Sequence, residues 1–437
     1  MKETERSDMY LAQQGDANAQ YRLGASYALG KGVEKDAAQA AYWLEQAARQ
    51  GHMAAQYNIG ISYYAGKGVE QDYARAAYWF EQAARQGHAS AQYRLGLSHA
   101  LGNGVEQDDA KAAYWYGQAA RQGHASAQYM LGLAHQDGKG AGQDLAEAAC
   151  WFEKAAEQGN ADAQNYLGVY YYYGYGVEQD YTKAVYWYEK AAKQGNADAQ
   201  NDLGVSYYYG YGVEQDCAKA AYWYEKAAGQ GHANAQCNLG SLYYYGEGVG
   251  QDYAAAAYWH EQAAKQGNAR AQYMIGLAYE SGTGTEEDHD KAFYWYRHAA
   301  DQGDMDAQFS LAYCYHIGRG VVRDYAKAAY WYEQAADQGD NRSKNNLGNL
   351  YRYGNGVTKD PDKALSLYTE SAEQGNDLAM LNIGELYDLG GELEDHLSEA
   401  ARWYKKAAEL GNEKAQMKLE ELYKKGIRQS GEQLLDL

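Results

Sequence analysis

The sequence predicts an all-α fold, a right-handed α-solenoid (superhelix) of 36-residue helix–turn–helix units, and three observations predict it. Tryptophan falls at 43, 79, 115, 151, 187, 223, 259, 295 and 331, a constant step of 36, and again at 403, with Leu367 in the missing place. Glycine runs in two unbroken columns at the same step, Gly15 to Gly411 and Gly30 to Gly426. Within each step the apolar residues recur at helical spacing, and a fixed period in this range is the mark of a stacked repeat.

The unit at 160–195 shows why each element forms. Asn160 is the expected N-cap of a first helix, with Asp16, His52, Asn196 and Asp304 in the same role elsewhere. Ala163, Leu167 and Tyr171 step by four along one helical face. Gly174 stops that helix, and Gly176 completes a Gly-x-Gly reversal that needs positive φ. Asp180 caps the second helix, whose apolar positions are Ala184, Trp187, Ala191 and Ala192, and Gly195 ends it. The single proline fixes the phase, since Pro361 follows cap Asp360 at the first helical position, where a missing N–H costs least. Helices of about 12 to 14 residues are marginal alone in water, so the pairs must stack to bury a continuous core. The chain therefore divides into a capping half-unit at 1–15, eleven units at 16–411 forming one continuous array, and a capping helix with a tail at 412–437. Leu367 and Gly391-Glu392-Leu393 make units ten and eleven irregular, and the tail 427–437 is expected to close the end.

Composition narrows the function classes. The 437 residues sum to a net charge of −20, which argues against a nucleic-acid partner and against docking on anionic lipid. Mean hydropathy is −0.76 and no run of 18 apolar residues occurs, so no membrane insertion is expected. The polar start and four cysteines without a CxxC pair point to the cytoplasm, or to the periplasm or exterior if a leader has been removed.

Ala199-Gln200, Leu203-Gly204, Tyr207, Gly210, Gly212-Val213, Asp216, Lys219-Ala220, Trp223-Tyr224, Ala227-Ala228 and Gln230-Gly231 together resemble the Sel1-like repeat, a bacterial-type relative of the tetratricopeptide repeat. The resemblance covers about 410 residues. It implies an adaptor or scaffold that holds proteins together. An immunity or regulatory protein that neutralises a secreted effector is the alternative, and a cell-wall hydrolase or a plain spacer are further ones. Some members carry one disulfide per repeat and have been linked to penicillin binding; that cysteine ladder is absent here.

Each candidate for chemistry falls into a repeat column instead. His52, His88 and His124 lie one helix pair apart, too far for a shared zinc ion, and serve as caps. The Gly-x-Gly turns follow no strand, so they lack the context of a phosphate loop. The Asp36, Asp72, Asp108 column caps second helices. The Trp column is assigned to the core, wedged between the two helices of each unit. No catalytic residue, metal or cofactor is expected.

Tyrosine is the informative residue, at 48 copies. At 100° per residue from Leu167, Tyr171 joins the core stripe while Tyr172 and Tyr173 turn away from it. Their columns hold Tyr172, Tyr208 and Tyr244, and Tyr173, Tyr209 and Tyr245, with Tyr175 and Tyr211 in the turns; elsewhere the same columns hold unlike residues. Such positions are expected to face solvent on the first helices, the concave side of solenoids of this type, and to bind. Asn165, Asn201, Asp202, Asn238 and Met274 add to the surround. Residues 160–339 hold 23 acidic against 12 basic side chains. The expected partner is another protein or peptide, basic enough to suit that surface, with Asp202 and Asn238 beside the tyrosines as its polar contacts.

Overall fold

The computed structural model of the chain describes residues 3–389 and 394–424. Among them are 24 helices and no strand. Repeat one spans 16–51, repeat two 52–87, and so on to repeat eleven at 376–411. From Ala17–Leu29 and Ala37–Arg49 in repeat one to Pro361–Glu373 in repeat ten, every first and second helix has 13 residues. The helix Glu3–Gln13 precedes the repeats and Glu413–Lys424 follows them. Gly391-Glu392-Leu393, Gly426 and the tail 427–437 lie outside the described residues. The chain forms two compact units, residues 1–227 and 228–437. Within each, helices pack on their neighbours in chain order, as the all-α solenoid expectation requires.

The caps form as the sequence predicts. Asn160 accepts from the Ala163 N–H at 2.8 Å and Asp180 from the Lys183 N–H at 3.0 Å. His52, His88, His124 and His232 do the same through Nδ1, at 3.1–3.3 Å. Gly174 and Gly176 adopt φ of 75° and 63°, the left-handed reversal only glycine takes cheaply. The Asp180 N–H then reaches back to the Tyr171 carbonyl at 2.8 Å and locks the turn.

The tryptophans do join the core, with Trp79 and Trp187 each 8% exposed, but their expected place between the two helices of a repeat needs correction. The ring wedged between the two helices of a repeat belongs to the next residue, the column of Phe80, Tyr116, Phe152, Tyr188 and Tyr296, at most 3% exposed. Each ring lies on a first-helix glycine. A Cβ at Gly60 would stand 2.7 Å from the Phe80 ring, and one at Gly168 2.5 Å from the Tyr188 ring. Tryptophan sits one residue earlier, so it turns about 100° aside and packs at the joint between repeats. Trp151 lies half-buried against Ala112, Tyr116, Ala119 and Ala120 of repeat three and Ala127 and Leu131 of repeat four.

A second device was not legible as such. The buried glutamine of each Ala-x-Ala-Gln segment bonds to two other helices. Gln128 Nε2 donates to the Ala120 carbonyl of the preceding repeat at 3.2 Å, and its Oε1 accepts from Gln158 at 2.6 Å. The same pairing recurs at Gln56 with Gln86 and at Gln272 with Gln302. It satisfies a buried amide while fixing the spacing of three helices.

Candidate functional site

The first helices of repeats five and six, Ala161–Tyr173 and Ala197–Tyr209, carry the tyrosine columns. The two columns differ. Tyr173 and Tyr209 are 58% and 59% exposed, whereas Tyr172 and Tyr208 are half-buried. Tyr172 turns back because its edge meets Tyr181, the first residue of the second helix, at 5.1 Å, and Tyr211 of the next turn at 5.8 Å. The expectation that both columns face solvent is thus corrected: the outer column presents rings, and the inner one supports them.

The turn tyrosines complete the patch. Tyr173 stacks on Tyr175 at 5.3 Å and 18°, and Tyr209 stacks on Tyr211 at 5.4 Å and 24°. Tyr211 also stacks on Tyr181 at 5.3 Å. One continuous aromatic layer in the first compact unit therefore joins Tyr172, Tyr173, Tyr175, Tyr181, Tyr209 and Tyr211. In the second unit Tyr245 is 58% exposed and Tyr244 packs edge-on against it and against Tyr253, at 5.0 and 5.4 Å. Asn238 is half-buried on the same helix, Ala233–Tyr245.

Among the polar residues expected around the patch, Asn165 and Asn201 are buried, as is Met274. Asp202 is half-buried and accepts from the Asn201 amide at 3.1 Å. Burial pushes its carboxyl up to about 6, the Asn201 donor opposes this, and Asp198 adds to it. Keeping Asp202 ionised at neutral pH costs about 3 kcal/mol at 1.36 kcal/mol per pH unit. Its field also raises the Tyr188 hydroxyl, after burial itself, and adds to the rise of Tyr172 behind burial and the neighbouring tyrosines Tyr211, Tyr173 and Tyr181. The two first helices hold three carboxylates, Asp162, Asp198 and Asp202, and no basic residue. The surface is aromatic and negative.

Two sets of residues escaped the sequence reading. Tyr170 is 2% exposed, its ring edge-on to Phe152 at 5.2 Å and its hydroxyl donating to Gln136 Oε1 at 3.1 Å. Equivalent positions hold Ser98, Ala134, Ser206 and Leu242, a departure that could have flagged it. Second helices also expose a tyrosine ladder, Tyr42, Tyr78, Tyr114, Tyr186, Tyr222 and onward, each edge-on to the adjacent tryptophan at about 5 Å. Its recurrence at the repeat step, broken only by Cys150 in repeats one to nine, concealed it within the repeat.

All four cysteines are free, and among the described residues no three His, Cys, Asp or Glu side chains converge as a metal site. No described helix is long and apolar enough to cross a membrane.

No protein of curated function matches the sequence. The chain is similar, at 35% identity, to a protective antigen of uropathogenic Escherichia coli strains that displays an SLR fold. That match covers 96% of this chain and 90% of the antigen, with a TM-score of 0.85. A Sel1 repeat protein from Oxalobacter formigenes is also 35% identical, over 70% of this chain and 89% of its own, with a TM-score of 0.55. The Sel1 repeat pattern itself matches eleven successive segments, the first at 17–52 and the last at 377–412. With eleven matched repeats along its length, the chain belongs to the Sel1 repeat family.

Proposed function

We propose that the chain is a non-enzymatic scaffold that binds a partner protein or peptide across the tyrosine patch of repeats five and six, and that the bound segment is basic. Sel1 repeats generally mediate protein–protein interaction, which sets the class. The observation that carries the finer reading is Asp202, kept half-buried beside stacked, exposed tyrosines where its ionisation is unfavourable. A cation from a partner offsets that cost, and tyrosine rings add cation–π and contact area.

The test is affinity capture from native lysate with the wild type, Tyr173/Tyr209→Ala and Asp202→Asn, each checked for folding by circular dichroism. The outer column is the one to substitute, because Tyr172 and Tyr208 are half-buried and their loss mixes folding with binding. A partner retained by wild type and lost from both folded variants supports the reading. Equal capture by all three refutes it.

A further inference from the structure

The joint between repeats one and two encloses a cavity of about 340 Å³ with mostly apolar walls: Ala25, Ala28, Ala40 and Leu44 from repeat one and Ile61 from repeat two. Lys35 and Lys67 are the only charged side chains that line it, and no carboxylate does. Tyr21, Asn58 and Ser62 add neutral polar groups, which suit a ligand of either sign. The volume is at the low end of small-ligand pockets, roughly 300–1,000 Å³.

Three features converge here. In later repeats the column of Lys35 holds glutamine, and Gln71, Gln143 and Gln179 donate to a first-helix carbonyl at 2.8–3.0 Å, closing the turn. Repeat one carries Lys35 instead, an exposed ammonium in no ion pair among the described residues. Its neighbour Asp36 is taken up as a helix cap, accepting from the Ala38 and Gln39 N–H groups at 2.9 and 3.0 Å. Lys67 is exposed and unpaired as well: its counterpart Lys139 pairs with Asp137 at 3.2 Å, but Ala65 stands in the place of that aspartate. Leu44 is the third, a short aliphatic side chain where later repeats carry a ring.

Equivalent joints lack this combination. Between repeats three and four the cavity holds about 190 Å³, with Tyr116 in the place of Leu44 and with Asp109 and Asp137 beside Lys139 on its wall. Between repeats four and five it holds about 370 Å³ and is lined by no charged side chain. Of these three joints, the one between repeats one and two alone joins an apolar chamber to positive charge that no neighbour offsets.

We propose that this joint binds a small organic anion, a carboxylate on a short alkyl or aryl body, with the body in the chamber lined by Ala40, Leu44 and Ile61 and the charge drawn to Lys35 and Lys67. A cationic ligand meets two ammonium groups with no carboxylate to balance them, and a neutral apolar one makes no use of either lysine. The site is separate from the tyrosine patch, so its test is independent of the basic-peptide reading.

The experiment titrates hexanoate, hexanamide, acetate and N-acetyl-leucine into the full chain at neutral pH, with affinity read by saturation-transfer NMR. Hexanoate is expected to bind about fivefold more tightly than hexanamide, the order of two solvent-exposed ion pairs. Lys35→Gln with Lys67→Asn installs the residues that Gln71 and Asn103 supply in other repeats, and is expected to erase that preference with the fold intact by circular dichroism. Leu44→Phe installs the ring of Phe80 and is expected to abolish binding by narrowing the chamber, as Tyr116 narrows its own. Absence of hexanoate binding to the wild type, equal binding of hexanamide, or an unchanged preference in the folded double variant overturns the anion site. Acetate binding as tightly as hexanoate, or hexanoate binding unchanged in folded Leu44→Phe, overturns the apolar chamber. Tighter binding of N-acetyl-leucine, which ends as a protein chain does, assigns the joint to a chain terminus and overturns the free ligand.

Discussion

In repeat seven the core ring is His260, where the other repeats carry Leu44, Phe80, Tyr116, Phe152, Tyr188, Tyr224, Tyr296, Tyr332, Tyr368 and Tyr404. It is 2% exposed and lies on Gly240 as Phe80 lies on Gly60 and Tyr188 on Gly168, with Ser241 Oγ 3.4 Å from Nε2. Burial lowers it to about 4, with Arg270 adding slightly and a bond to the Cys237 backbone opposing. A group whose folded value is depressed is neutral when folded and takes a proton when unfolded. Stability is therefore complete above the unfolded value of about 6.5 and falls as pH drops from there towards 4. At pH 5 the unfolded histidine is almost fully charged and the folded one almost neutral, which removes about 2 kcal/mol; below pH 4 the loss levels off near 3 kcal/mol. Phe80 and Phe152 show that a phenyl ring fits this setting, so His260→Phe removes the titration and keeps the packing. Urea unfolding followed by tryptophan fluorescence, on both proteins at pH 7.5 and pH 5, isolates the effect. His316 in the same compact unit, also lowered by burial, titrates in both proteins and cancels in the difference. The wild type should lose about 2 kcal/mol more than His260→Phe over this interval. Equal losses refute the reasoning, because His260 would then not be buried neutral.

Three further outcomes follow from the same structure. Asp202 has the opposite sign: a raised carboxyl disfavours the folded state at neutral pH, so Asp202→Asn should add up to about 3 kcal/mol at pH 7.5, with the gain fading between pH 6 and the ordinary value near 4, in urea titrations at stepped pH. Gln128→Ala strips the Ala120 carbonyl and Gln158 of a partner and should cost about 1–3 kcal/mol by thermal unfolding. The glycine columns should separate: Gly68→Ala drives a Cβ into the Ala37 carbonyl and should cost 3 kcal/mol or more, whereas Gly87→Ala meets nothing within 4 Å and should cost only the roughly 1–2 kcal/mol of left-handed backbone.

The fold was legible because every fold-determining residue is written many times over. Cap, turn glycine and period repeat in register, so a local rule that errs in one repeat is checked by ten others. The site was legible only in part. A helical wheel places Tyr172 and Tyr173 alike off the core stripe, but what covers Tyr172 is Tyr181 after the turn and Tyr211 one repeat on, neighbours no single-helix projection contains. The same limit misplaced the tryptophans, since the wheel says that Trp151 is apolar and inward but not whether inward means its own hairpin or the joint with the repeat before. Asn165 was expected in the polar surround of the tyrosines, yet it is buried and faces Gln136 and Gln143 of another repeat across a cavity.

The rings seated on glycine leave a steric signature. Within a repeat, helix meets helix closely: at Gly60, Gly96, Gly132 and Gly168 even one added carbon meets an aromatic ring. Four cavities lie instead at joints, between repeats one and two, two and three, three and four, and four and five. In the first compact unit the closest helix contacts thus lie inside repeats and these gaps lie between them. A larger side chain is therefore easier to house at such a joint than beneath a core ring, so substitutions that add volume should separate into tolerated and disruptive sets by this one distinction.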